Sequence, residues 1–167
     1  MTRHRDLLGY AHMYAGNHAD AEDLVQDALI ETFGRGRAFP NAIAAESYVR
    51  RVIASRYIDA YRRRGAERRA LVRIRTGEID PSAGPDLRVE HASDVAGALA
   101  QLAPRERACV MMRYLEHLSV RETADALGLS EGAVKRYVSD AITKLNGLLG
   151  THADAESAEW TTVQVRG

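Results

Sequence analysis

Residues 119–146, Ser-Val-Arg-Glu-Thr-Ala-Asp-Ala-Leu-Gly-Leu-Ser-Glu-Gly-Ala-Val-Lys-Arg-Tyr-Val-Ser-Asp-Ala-Ile-Thr-Lys-Leu-Asn, read as two helices joined by a tight turn. Ser119 with Glu122 forms a capping box that opens the first helix, and Gly128 ends it where the backbone must enter the left-handed region. Ser130 caps the second helix. Along it Val134, Val138, Ile142 and Leu145 recur at three- and four-residue spacing, which predicts a buried face and leaves Lys135, Arg136, Ser139 and Lys144 to project elsewhere. The small Ala124, the turn Gly128 and the branched Val134 match the close crossing of a helix-turn-helix, whose second helix can enter a DNA major groove. An ordinary helical hairpin is the plainer alternative.

Composition sets the outer bounds. The chain has 167 residues, 46% of them hydrophobic, enough for one domain or two small ones with packed cores. A single cysteine, Cys109, excludes an intramolecular disulfide and agrees with a reducing cytosol; within Ala108-Cys109-Val110-Met111-Met112 it reads as a small core residue. No apolar run approaches the ~20 residues of a membrane span, and Arg3, His4, Arg5 and Asp6 stand where a signal peptide would need an apolar stretch. The expectation is a cytoplasmic protein with no membrane insertion.

Charge is neutral overall, 23 basic against 23 acidic residues, but it is segregated along the chain. Residues 50–75 hold ten arginines against Asp59 and Glu67, a local net of +8, as phosphate binding requires. Residues 77–103 reverse the sign, with Glu78, Asp80, Asp86, Glu90 and Asp94 against Arg88 alone.

The segment 77–94, with Gly77, Pro81, Gly84 and Pro85 and little periodicity, reads as a flexible linker between two helical halves. In the first half the pattern predicts helices over 7–15, ended by Gly16-Asn17, over 20–33, stopped by Gly34, and over 44–64, burying Val49, Val52 and Ile53. The middle helix carries an apolar stripe of Ala21, Leu24, Val25, Ala28 and Leu29. Opposite it Asp23, Asp27 and Glu31 form an acidic ridge flanked by Glu22 and Gln26. A basic loop, 34–41, holds Phe39, which is suited either to capturing an unstacked base or to anchoring the loop in the core. In the second half Val95, Ala98, Leu99 and Leu102 outline a helix, and Pro104 starts another through Leu115. No strand pattern occurs, so the expected fold is all-α.

Three segments in this order carry a resemblance: Asp20-Ala21-Glu22-Asp23-Leu24-Val25-Gln26-Asp27; Ser47-Tyr48-Val49-Arg50-Arg51-Val52 through Ile58-Asp59-Ala60-Tyr61-Arg62-Arg63-Arg64; and Leu102-Ala103-Pro104-Arg105-Glu106-Arg107 with the helix-turn-helix. Together they resemble the extracytoplasmic-function (ECF, group IV) sigma factors of bacterial RNA polymerase, in the sigma-70 family. The resemblance implies two small helical domains: a three-helix sigma region 2 at 1–76 and a sigma region 4 helix-turn-helix at 95–149, with the linker at 77–94 and a tail at 150–167. Region 2 would bind core polymerase and the minus-ten element; region 4 would read the minus-thirty-five element.

On that resemblance Glu22, Asp23, Gln26, Asp27 and Glu31 would grip the largest subunit of core RNA polymerase, with the second-largest subunit also in contact. Phe39, Asn41, Arg50, Arg51, Ser55, Asp59, Arg62 and Arg63 would meet the minus-ten strand. Arg121, Glu131, Lys135, Arg136, Ser139 and Lys144 would serve upstream promoter DNA. No cofactor or metal is implied, and an anti-sigma partner is left open. Departures fall where base preference is set: Tyr48 stands for a usual tryptophan, Ser55 for a common asparagine, and Ala133, Arg136, Tyr137 and Asp140 for frequent Thr, Ser, Arg and Arg. The first helix begins close to Met1, shorter than in typical members, which puts the expected start codon upstream. The tail from Thr151, with Trp160, extends past the usual end and is expected to be disordered.

Two other classes fit less well. A dimeric duplex-binding regulator would carry an α/β receiver or ligand domain, which the helical first half contradicts. An enzyme would need a site, and His4, His12, His18, His91, His117, His152 and Cys109 show no metal-ligand spacing, phosphate loop or nucleophile motif.

Overall fold

The computed structural model describes residues 2–34, 36–75 and 94–150. Among these, every regular element is a helix: α1 (Thr2–Ala15), α2 (His18–Phe33), α3 (Ala42–Arg75), α4 (Asp94–Ala100), α5 (Pro104–Tyr114), α6 (Val120–Leu127) and α7 (Glu131–Leu149). The all-α expectation therefore holds. The expected linker up to residue 93 and the tail from Thr151 lie outside the described residues.

The helix ends follow local chemistry. Gly16 takes a positive φ of 76° and Asn17 then caps α2, its side-chain oxygen accepting the Asp20 N–H at 2.9 Å. Asn41 does the same for α3, accepting the Ala44 N–H at 2.8 Å, which is why that helix starts earlier than its apolar pattern indicates. At its other end α3 runs to Arg75 rather than stopping in the arginine run at 64. Gly65 is the only weak helix former there, and one interior glycine costs about 1 kcal/mol relative to alanine, too little to end a helix of Arg, Ala and Glu. Similarly α1 begins at Thr2 and not at 7, because its first turn is polar and gives no apolar signal.

Helices α1 to α3 pack as one unit, α4 to α7 as a second. Tyr10, Ala11 and Tyr14 of α1, Ala21, Val25 and Ala28 of α2, and Val49, Ile53 and Ile58 of α3 fill the first core. The second is filled by Leu99, Ala108, Cys109, Met112, Ala124, Leu127, Val134, Val138 and Ala141. Burial of a side chain the size of Ile53 or Val134 contributes about 1.5 to 3 kcal/mol. Burial also pushes the Cys109 thiol up to about 12, so it packs as a neutral group.

The two cores form one continuous buried cluster. The contact is made by α1 against α4 and α5, and by α3 against α5 and α6. Arg107 of α5 sits in this seam, 2% exposed. Its guanidinium donates to the carbonyl oxygens of Tyr14 at 2.6 Å, Ala100 at 2.5 Å and Leu102 at 3.4 Å. Tyr14 and Ala100 lie in the last turns of α1 and α4, whose free carbonyls and macrodipoles favour a cation. Burial lowers the Arg107 pKa, and the facing tyrosines Tyr57 and Tyr14 partly offset it.

Candidate nucleic-acid interface

The helix-turn-helix is built as the chain's spacing predicts. Ser119 Oγ accepts the Glu122 N–H at 3.1 Å while the Glu122 carboxylate takes the Ser119 N–H and hydroxyl, both at 2.8 Å. These contacts, backbone N–H first, hold the Glu122 carboxyl below the usual carboxylate range. Gly128 adopts φ 61°, ψ 44°, and Leu129 N–H closes on the Ala124 carbonyl at 2.9 Å. Ser130 Oγ accepts the Ala133 N–H at 3.2 Å and starts α7.

Val134, Val138 and Ala141 bury one side of α7, with Ile142 and Leu145 half-buried beside them. Lys135, Arg136 and Ser139 are exposed on the other, and Glu131 is exposed in the first turn. Arg136 rests its guanidinium 5.1 Å from the centre of the Tyr137 ring. Arg121 is exposed on α6. Lys144 is differently placed: its Nζ lies 2.8 Å from both carboxylate oxygens of Glu106, a buried residue that also accepts the Ala103 N–H at 3.0 Å and so caps α5.

On the first unit, Glu22, Asp23, Gln26, Asp27 and Glu31 are all exposed along α2, opposite Ala21, Val25 and Ala28 in the core. Asp23 and Asp27 border a small cleft of about 120 Å³ shared with Tyr57, Tyr61 and Arg64. Glu31 accepts from Arg56 Nε at 2.6 Å. Phe39 is half-buried: its ring meets Phe33 at 5.8 Å and Tyr48 at 5.5 Å, and Arg37 lies 4.4 Å over Tyr48. The loop is thus pinned by an aromatic cluster that still reaches solvent through Phe33.

The residues of α3 assigned to the minus-ten strand divide in two. Arg63 and Asp59 are exposed. Arg50, Arg51 and Ser55 instead face the second unit, and Arg62, itself exposed and paired with Asp59 at 3.5 Å, reaches toward it. Arg50 bonds Glu46 at 2.7 Å and Glu116 at 3.1 Å, and these carboxylates raise its pKa in spite of burial, the largest single influence, which lowers it. Arg62 reaches the Leu127 carbonyl at 3.4 Å, while Arg51 and Ser55 line a cleft of about 400 Å³ with Glu122 and Asp125. Arg107 is the residue that sequence reasoning left without a role. An arginine three and four positions ahead of Val110 and Met111, inside an otherwise apolar face, was the available signal.

Among the described residues no three of His, Cys, Asp or Glu gather to hold a metal, and no helix is long and apolar enough to cross a membrane.

This pairing of a helical unit bearing an acidic ridge with a helix-turn-helix unit is the architecture of sigma factors. Residues 1–67 match the family model for sigma-70 region 2, and residues 93–145 that for sigma-70 region 4. The chain is 33% identical to the RNA polymerase sigma-E factor of Streptomyces coelicolor, over 95% of this chain and 88% of that one. It is 31% identical to the ECF RNA polymerase sigma factor SigM of Mycobacterium tuberculosis, over 88% and 73%. In fold it is similar to the sigma factor RpoE of Bartonella quintana, solved with the anti-sigma factor NepR, at a TM-score of 0.61 and 22% identity, covering 91% of this chain and 94% of that one. The chain belongs to the sigma-70 family, as an RNA polymerase sigma factor of the ECF class.

Proposed function

We propose that this sigma factor divides initiation among three surfaces of its own. It binds core RNA polymerase, directs it to specific promoters and assists their melting. Within that function, Glu22, Asp23, Gln26, Asp27 and Glu31 on α2 take the basic partner surface of the largest subunit. Phe39, Asn41, Arg50, Arg51, Ser55, Asp59, Arg62 and Arg63 take the minus-ten strand, although Asn41 also caps α3 and its oxygen is engaged there. Lys135, Arg136 and Ser139 read the upstream element, with Arg121, Glu131 and Lys144 at the edge. The domains divide at 1–76, 77–94, 95–149 and 150–167. The protein works in the cytoplasm, without cofactor, and phosphodiester chemistry stays with the polymerase.

The observation that carries this reading is the two-sidedness of α7: Val134, Val138 and Ala141 are buried while Lys135, Arg136 and Ser139 stand together in solvent. Such a helix can present side chains to base edges without unfolding its own core. The test is transcription in vitro with core polymerase and a promoter library, with start sites mapped. Transcripts that require the added chain and share upstream and downstream motifs are expected; starts identical with and without it would reject the reading.

A further inference from the structure

Past its first turn, α7 carries a single carboxylate, Asp140. It is exposed four positions after Arg136 and four before Lys144, on the side of the helix that Val134, Val138 and Ala141 leave to solvent. Residues at that spacing are neighbours on a helix, and an acidic residue four positions ahead of a lysine is the favourable order for an ion pair. Neither pair forms. The Lys144 ammonium is taken by both oxygens of Glu106 at 2.8 Å, and the Arg136 guanidinium rests over the Tyr137 ring, whose hydroxyl accepts from Arg105 at 3.2 Å. Helix α5 thus engages one cation directly and the other through Tyr137, and among the described residues Asp140 has no hydrogen bond or ion pair. Nor does folding account for it. Aspartate is among the weaker helix formers, and Asp140 lies well beyond the first turn, where the helix dipole would favour its charge.

From this we infer that Asp140 is a further base-reading residue of the upstream interface, its carboxylate accepting the exocyclic amine of a cytosine in the major groove. The inference rests on the reading of α7 as the upstream-element helix and names a further base for it. A carboxylate brought against DNA is repelled by the phosphates, so it cannot serve to position the helix; it gains only where a base edge presents a donor. Cytosine presents its N4 amine as a donor alone. Adenine sets an N7 acceptor beside its amine, while guanine N7 and O6 and thymine O4 are all acceptors that a carboxylate avoids. Discrimination therefore comes from repulsion by the wrong base as well as attraction to the right one. Arg136 and Asp140 stand about 6 Å apart along the helix axis and base pairs stack at about 3.4 Å, so the guanine read by one and the cytosine read by the other lie at most about two steps apart.

The test is a promoter selection with holoenzyme assembled from core polymerase and the full chain, on a library randomised across the upstream element, for the parent, Asp140→Ala and Asp140→Asn. The parent should return a cytosine within about two base pairs of the guanine that depends on Arg136. Asp140→Ala should lose that cytosine and keep the guanine, with the preference for cytosine over the other bases falling about 5- to 150-fold. Asp140→Asn should trade the cytosine for adenine, because an amide can bond both N6 and N7 of that base. Both variants should bind duplexes lacking the motif more tightly than the parent does, since a charge repelled by phosphate has been removed. A parent motif without that cytosine, a cytosine retained by either variant, or a loss of binding spread evenly over all sequences overturns the inference. Absence of chain-dependent transcripts with the parent chain would instead reject the proposed function itself, and the inference with it.

Discussion

Arg107 of α5 donates a hydrogen bond of 2.6 Å to the carbonyl of Tyr14 in α1, across 93 residues of chain, and among the described residues its partners are carbonyls rather than carboxylates. Two helix C-termini supply the negative end instead. Hydrogen bonds to a charged group contribute about 1.5 to 3 kcal/mol, and removing one partner of a buried charge contact leaves the other unsatisfied. Arg107→Met should therefore lower stability by about 3 kcal/mol, and Arg107→Lys by about 2, because a compact ammonium cannot replace the guanidinium fork that reaches all three carbonyls. Urea unfolding at low and high salt checks both; a seam this dry should show little salt dependence.

The α2 ridge gives a second expectation. Asp23 and Asp27 are exposed one turn apart, with their backbone in a helix whose stability comes from Ala21, Val25 and Ala28 on the far side. Asp23→Lys with Asp27→Lys should abolish co-purification with core polymerase while circular dichroism stays unchanged, since like-charge contacts at an interface cost several kcal/mol. Retained binding would move the polymerase contact off this face.

The helix-turn-helix was legible because each of its boundaries is written in a side chain: Ser119, Gly128 and Ser130 each act locally, and local rules suffice for them. The same holds for the stripe on α2. What the pattern missed depended on distant partners or on weak breakers. Gly65 could not end α3, and the polar first turn of α1 gave no periodicity. Arg50, Arg62 and Arg107 each also have a partner in the other unit, Glu116, Leu127 and Tyr14 respectively, and no spacing within one helix encodes those contacts. Phe39 left two roles open, and its contacts with Phe33 and Tyr48 hold the loop while the ring stays only half-buried, so both roles remain compatible with its place.

The capping box carries a pH dependence. Glu122 is held below the ordinary carboxylate range, first by the Ser119 N–H and then by its hydroxyl. A depressed folded pKa means that the stabilisation is present above the unfolded value of about 4.3 and disappears as pH falls through the lower folded value. Glu122→Gln should flatten that acid limb, with the variant and parent converging in urea melts as pH falls below the depressed folded value of Glu122. Ser119→Ala should cost about 1 kcal/mol at neutral pH.

Lys144 has a structural partner that a purely DNA-facing lysine would lack. Its ammonium bridges both oxygens of Glu106, whose carboxylate is buried and caps α5. Lys144→Ala strands that carboxylate, so it should reduce stability by about 1 kcal/mol as well as weaken DNA binding evenly across sequences. Adding Glu106→Gln should restore part of the stability and none of the DNA binding. Recovery of both would assign Lys144 to the fold alone.

Arg136 is the residue expected to set upstream base preference. Its guanidinium is exposed and rests on the Tyr137 ring, a contact that contributes about 0.5 to 1 kcal/mol at a solvent-facing site. A bidentate contact with the two acceptors of a guanine discriminates by about 1 to 3 kcal/mol, so the base outcompetes the ring when the helix enters the groove. Lys135 lies beside it and suits the phosphate backbone, which positions the helix without reading sequence. Arg136→Ala should therefore change which upstream bases a randomised-promoter selection returns, with affinity for the parent's preferred promoter falling roughly 5- to 150-fold. Lys135→Ala should leave the selected motif unchanged and reduce the salt slope of binding by about one. An unaltered upstream motif for Arg136→Ala would transfer base reading to Ser139 or Glu131 on the same exposed surface.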